Sequence, residues 1–260
     1  MNCSPDFPGS VNMNVFFFIL ILIIVVPTNS FSRGNRKIIS YSESRDFLFH
    51  RVYYDYKITV YCGFDFDQDR NVALPEEFYT PRYMARASRV EVEHIIPAEN
   101  FGRAFREWRE GHPKCADQQG SPFRGRKCVE LVSRQYRLMQ ADMYNLAPAV
   151  GAVNAMRQNF NYAMLPQTPP TFGSCAMKID GRKVEPPDRA KGFVARAALY
   201  MDASYSPHYR LSSQQKRLFA TWNRQFPVDK WECTRTKRIE KIQGNPNNFV
   251  KFPCLEAGLW

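Results

Sequence analysis

Only four histidines occur in 260 residues, acidic side chains are outnumbered 25 to 36 by Lys and Arg, and no two cysteines form a CxxC pair. The missing CxxC pairs argue against a structural zinc site. The few histidines leave few side chains that titrate near neutral pH. No internal repeat and no low-complexity block is present, which excludes a solenoid or a compositionally biased tract. The apolar run Val15–Val26 is shorter than the roughly 20 residues a membrane-spanning helix needs. What is present suits one sizeable globular domain. Hydrophobic residues make up 44% and aromatics 14%, which excludes a disordered polyampholyte and a collagen-like fibre. A formal net charge of +11 points to an anionic partner, nucleic acid or an acidic membrane, without choosing between them.

The apolar run reads as the core of a secretory signal peptide. Pro27 follows it, and small residues at Thr28, Ser30 and Ser32 suit cleavage near Ser30 or Ser32. Residues 1–14 contain no Lys or Arg. Initiation at Met13 would place the α-amino charge just before the run. The expected organisation is a signal peptide over 1–32 and one domain over 33–260, with a retained membrane anchor as the alternative. Cysteine usage agrees with export. Cys3 falls in the signal segment, and the remaining six form an even set that reads as disulfides. Short separations favour Cys115–Cys128 and Cys233–Cys254, which leaves Cys62–Cys175.

The pattern along the chain is α+β with a small sheet. Ser42 or Ser44 is a candidate cap for a short helix. Lys57–Cys62 reads as a strand, and so does Arg89–Ile96, where Val90, Val92 and His94 alternate with Arg89, Glu91 and Glu93. Residues 97–128 read as loop, 130–143 as helical, and 150–159 as a short helix after Pro148. Residues 164–188 are rich in Pro and Gly and read as a long loop, with a strand at 175–180. Helices are expected over 189–203, 212–226 and 228–242. The second opens on Ser212 with Gln215 three residues on, a capping spacing. The third is strongly basic and ends at Gly244.

Of the histidines, His94 alone has an adjacent acid, Glu93. Neighbours on a flat strand point to opposite faces, so the two flank one site only if the strand bends or ends there. A satisfied core histidine is the plainer alternative. The segment 142–159 concentrates Asp142, Asn145, Asn154, Arg157 and Asn159. Asparagine there is either a structural cap or a neutral oxygen ligand for a hard cation.

The motifs EHIIPAENFG (93–102), DMYNLAPAVGAVNAMRQN (142–159) and KWECTRTKRIEKIQGNPNNFV (230–250), taken with SSQQKRLFATWNRQFPVDKWEC, resemble the bacterial endonuclease I family in the right order over nearly all of the mature chain. That resemblance implies a periplasmic or secreted, sugar-nonspecific nuclease that acts on DNA and RNA as a monomer. It implies a ββα-metal site with one Mg²⁺ ion. It implies His94 as general base, Glu93 and Asn154 as metal ligands, Asn145 in support, and Arg126 on the scissile phosphate, with Arg124 as the rival. Arg157, Arg235, Lys237, Arg238 and Lys241 are the candidate phosphate-tracking cations. Trp222 and Trp231 read as core. The chain departs from the family pattern at Gln140, Tyr144, Ala152, Ala155 and Met156, and Phe64 stands where a second cysteine is frequent. Those departures keep open a catalytically impaired nucleic-acid-binding protein.

Overall fold

The computed structural model describes residues 1–2 and 34–260, so nearly all of the expected signal segment lies outside the described residues. Helix α1 (Tyr41–Phe47) opens on Ser40, whose hydroxyl accepts from the Glu43 amide, rather than on Ser42 or Ser44. Ser44 is buried and donates to the Ala141 carbonyl instead. A π-helical turn, Leu48–Val52, continues it. Strand β1 (Val90–His94) follows. The region expected as loop over 97–128 holds short helices α2 (Ala98–Gly102) and α3 (Arg106–Glu110) and the start of α4 (Arg126–Val132). Their brevity leaves too few turns for a periodic apolar stripe to be read. Ser133 ends α4 and caps α5 (Arg134–Gln140), which splits the single helix expected there.

Strand β2 (Leu146–Val150) pairs antiparallel with β1, with Glu93 opposite Ala147 and His94 opposite Leu146. Helix α6 (Gly151–Arg157) starts at the next residue, which completes a ββα unit. The sheet formed by β3 (Asn161–Tyr162), β4 (Lys178–Asp180) and β5 (Lys183–Glu185) has the order β3-β5-β4. Helix α7 (Asp188–Tyr205) packs on α8 (Ser213–Gln225). Ser212 caps α8 by accepting from the Gln215 amide, while the Gln215 side chain donates to Tyr162 O. Helices α9 (Lys230–Gln243) and α10 (Asn248–Glu256) end the fold. Residues 34–260 belong to one compact unit, α+β in class as expected. No helix among the described residues is long and apolar enough to cross a membrane.

One further expectation is corrected here. Lys57–Cys62 is not a strand. The chain turns back at once, with Gly63 N donating to Thr59 O and Thr59 N to Phe64 O. Gly63 sits at φ +74, a left-handed conformation that favours glycine. Phe64 is buried in the core. The three disulfides are Cys62–Cys175, Cys115–Cys128 and Cys233–Cys254, the expected pairing.

Candidate active site

All five residues of β1 border one cleft of about 640 Å³, together with Tyr41, Arg126, Asn154 and Arg157. Strand β2 pairs along one edge of β1. Neighbours on a strand point to opposite faces, yet Glu93 and His94, the last two residues of β1, both border this cleft. Asn145 fixes the chain where β1 ends. Its Oδ1 accepts from Ile96 N at 2.7 Å, its Nδ2 donates to Ile96 O at 2.9 Å, and its carbonyl accepts from Ile95 N.

The His94 ring is buried and stacks on Tyr41 with centroids 5.1 Å apart. Its Nε2 donates to the Gln140 carbonyl at 2.9 Å. A carbonyl only accepts, so Nε2 carries the proton and Nδ1 keeps its lone pair. Burial, helped by the charges of Arg126 and Arg157, lowers the imidazole pKa from 6.5 to about 3. The ring is thus a neutral base with a fixed tautomer.

Glu93 is also buried. Its Oε1 accepts from the Tyr61 hydroxyl at 2.9 Å and lies 3.2 Å from Arg157 Nε. Burial pushes its pKa up to about 7, against the opposing pull of Arg157 and the Tyr61 hydroxyl. Asn154 sits on α6, and its Nδ2 donates to Glu91 Oε2 at 3.0 Å. That bond assigns the amide nitrogen to Glu91 and leaves Oδ1 as an acceptor. Glu91 is itself held by Arg86 Nε at 2.8 Å and Arg89 Nε at 3.1 Å. Helix α6 can start this close to β1 only because residue 151 is glycine. A Cβ there would lie 2.5 Å from the Arg86 carbonyl oxygen and 3.0 Å from Glu91 Oε1.

One carboxylate and one amide oxygen are hard donors, the kind Mg²⁺ takes in small number while keeping several waters. Among the described residues no group of three or more His, Cys, Asp and Glu could hold a metal. Arg126, the first residue of α4, reaches the same cleft over the Tyr41 ring, 5.5 Å from its centroid, and donates to Gln140 Oε1 at 3.3 Å. Arg124 faces a different groove and donates to Arg109 O at 3.4 Å.

Of the expected phosphate-tracking cations, Arg157, Arg235 and Arg238 are engaged within the protein. Arg157 is 1% exposed. Its Nη2 donates to Ile95 O, and its guanidinium lies over the Tyr162 ring. It forms the cleft floor behind Glu93, because a cation this deep is held by carbonyls and a carboxylate rather than by water. Arg235 is buried too, donating to Met143 O and Leu146 O at 2.7 Å. Arg238 pairs with Asp55. Lys237 and Lys241 alone of the α9 set are exposed. Trp222 is buried, and Trp231 stacks on Tyr56 with centroids 4.0 Å apart.

Glu91, Tyr61 and Gln140 belong to the site without having been picked out as such. Glu91 was legible as the residue two before Glu93 on one strand face. Tyr61 gave no local signal, because a turn more than thirty positions away delivers it.

The Glu93 environment gives a testable sign. Its folded pKa of about 7 lies above the ordinary 4.5. Its contribution to stability is therefore full below pH 4.5 and lost as pH rises through 7. Glu93→Gln is expected to remove this pH dependence, so that the metal-free variant gains stability relative to the wild type as pH rises from 4.5 to 8. Thermal melts in EDTA at the two pH values measure this. A variant that loses relative stability over that range would mean that pairing with Arg157 outweighs burial.

The sequence profile of the endonuclease I family matches residues 34–254. An extracellular deoxyribonuclease of Aeromonas hydrophila is 38% identical over 212 residues, 79% of this chain and 86% of that protein. A periplasmic deoxyribonuclease of Aeromonas hydrophila is 38% identical over 212 residues, 78% and 82% of the two chains. An endonuclease-1 of Buchnera aphidicola (Acyrthosiphon pisum) is 36% identical over 203 residues, 75% and 74% of the two chains.

Proposed function

The chain belongs to the endonuclease I family, and from that premise we propose that it is a Mg²⁺-dependent endonuclease that hydrolyses DNA and RNA to 5′-phosphate products at the β1 cleft. It is an enzyme of the periplasm or the extracellular space, and its substrate is nucleic acid. Residues 1–32 act as its signal peptide. The observation that carries the reading is the fixed tautomer of His94, a neutral base whose Nδ1 is free, in one cleft with Glu93, Asn154 and Arg126.

His94 Nδ1 takes the proton of a water as that water attacks phosphorus in line with the departing 3′ oxygen. Burial is the larger cause of the lowered imidazole pKa, and the approach of an anionic phosphate offsets the smaller contributions of Arg126 and Arg157, which raises it. Arg126 contributes positive charge beside the nonbridging oxygens. Glu93 and Asn154 Oδ1 would hold the ion, and bound Mg²⁺ supplies charge that polarises the phosphate and stabilises the leaving oxygen. Arg157 and Tyr61 fix the Glu93 carboxylate, and Glu91 fixes the Asn154 amide. Because water is the nucleophile, no 2′-hydroxyl takes part, which supports action on DNA and RNA alike.

The departures from the family pattern leave these atoms in place. Gln140 holds His94 through its backbone carbonyl, while its side chain links Arg126 to Glu130. Tyr144 is buried away from the reacting groups, its hydroxyl donating to Asn245 O. Met156 accepts from the Thr80 hydroxyl.

Glu91→Ala frees the Asn154 amide to rotate and is expected to weaken Mg²⁺ binding about 10–100-fold. Calorimetric titration of the metal measures it, and unaltered affinity would remove Glu91 from that role. The reading as a whole is tested by incubating residues 33–260 with plasmid DNA and with RNA, in Mg²⁺ or in EDTA. Cutting of both that EDTA abolishes is expected. Binding without cutting by the disulfide-bonded protein would point to the impaired alternative.

A further inference from the structure

We infer that a second cleft, bordered by Arg103, Arg182, Arg210, Asn100 and Asn161, is a subsite for the nucleic-acid backbone beyond the scissile phosphate. The inference rests on the nuclease reading above. Asn159 borders both this cleft and the β1 cleft, so the two adjoin. The three arginines come from separate parts of the chain: the end of α2, the β4–β5 turn, and the segment before α8. All three are exposed. No aspartate or glutamate borders the cleft. By contrast, the β1 cleft contains Glu91, Glu93 and Glu99, the groove at Arg124 contains Glu107 and Glu110, and the groove beside α9 contains Glu43.

The three cations are committed to different degrees. Arg103 pairs with Glu99. Arg210 donates only to the Ser206 hydroxyl, at 3.0 Å. The Arg182 side chain has no hydrogen bond or ion pair among the described residues, and its backbone carbonyl accepts from Asn161. Unneutralised arginine charge beside amide side chains matches a chain of phosphates and sugars, contacts that position a substrate without reading its sequence. The basic helix α9, where the sequence concentrates charge, lacks this arrangement. Arg235 is buried there and Arg238 is paired.

The test is the salt dependence of binding to a 20-base-pair duplex in EDTA, where cutting is absent. Each lost phosphate contact should reduce the slope of log K against log salt by about 0.9. The Arg182→Ala/Arg210→Ala double variant should therefore reduce it by about 1.8, and the loss should appear in KM rather than in kcat when Mg²⁺ is restored. The control, Arg224→Ala/Lys230→Ala, removes two exposed cations that border neither cleft and should keep the wild-type slope. An unaltered slope in the first variant, or an equal loss in the control, overturns the subsite. If the wild-type protein still cuts, that failure leaves the nuclease reading standing. Absence of cutting by the wild type overturns both.

Discussion

Replacing His94 with alanine is expected to lower kcat by about 10²–10⁴-fold while nucleic acid still binds. The imidazole is the sole ring in the cleft with an available lone pair among the described residues that border it. Its proton sits on Nε2, against the Gln140 carbonyl. Without it the attacking water has no fixed acceptor, although Arg126 and the Glu93–Asn154 pair remain. The loss should thus fall on kcat, with KM and Mg²⁺ affinity close to wild type. The ring also packs on Tyr41, so a modest fall in melting temperature accompanies the change. Steady-state kinetics on a labelled duplex separate the two effects. Wild-type kcat in a folded His94→Ala protein would remove the base.

Removing the Cys62–Cys175 disulfide is expected to cost about 5 kcal/mol. The bond closes a loop of sequence separation 113, and the longer the loop, the more the unfolded chain is restricted by the link. A Cys62→Ala/Cys175→Ala protein should melt roughly 10–20 °C lower. The bond also anchors the turn that brings Tyr61 to Glu93, so Mg²⁺ affinity should fall with it. Calorimetry of the variant beside the wild type, with and without reductant, measures both effects. An unaltered melting temperature on reduction would mean that the disulfides do not support the fold.

The elements legible in the sequence are those whose signal is local. Arg89–Ile96 alternates as a half-buried strand does, and β1 lies within it. Ser212 and Gln215 mark the start of α8 through a bond the spacing anticipates. The elements that were not legible depend on contacts far along the chain. Ile58–Tyr61 has the residues of a strand, yet Gly63 and the inward Tyr61 make it a turn. Helix α10 carries Pro253, a residue that argues against a helix. Asn247 caps it and Cys233–Cys254 ties it to α9. Arg157 reads as a surface cation because charge is usually solvated, and only the fold shows Glu93 and the Ile95 carbonyl waiting for it. Asp142 is a similar case. It is fully buried and accepts from the Tyr200 and Tyr205 hydroxyls, the Tyr144 amide and Gln243 Nε2. These partners lie up to 101 residues away, beyond any local pattern.

The most direct test of the account is the fate of the oxygen that breaks the phosphodiester bond. Cleavage of DNA and of RNA in ¹⁸O-labelled water with Mg²⁺, followed by mass spectrometry of the product ends, identifies the nucleophile and the leaving group together. A water activated by His94 against a departing 3′ oxygen predicts ¹⁸O in a 5′-phosphate from both polymers, and none from the His94→Ala protein on the same timescale. Label in a 3′-phosphate, or a 2′,3′-cyclic phosphate from RNA, would contradict it.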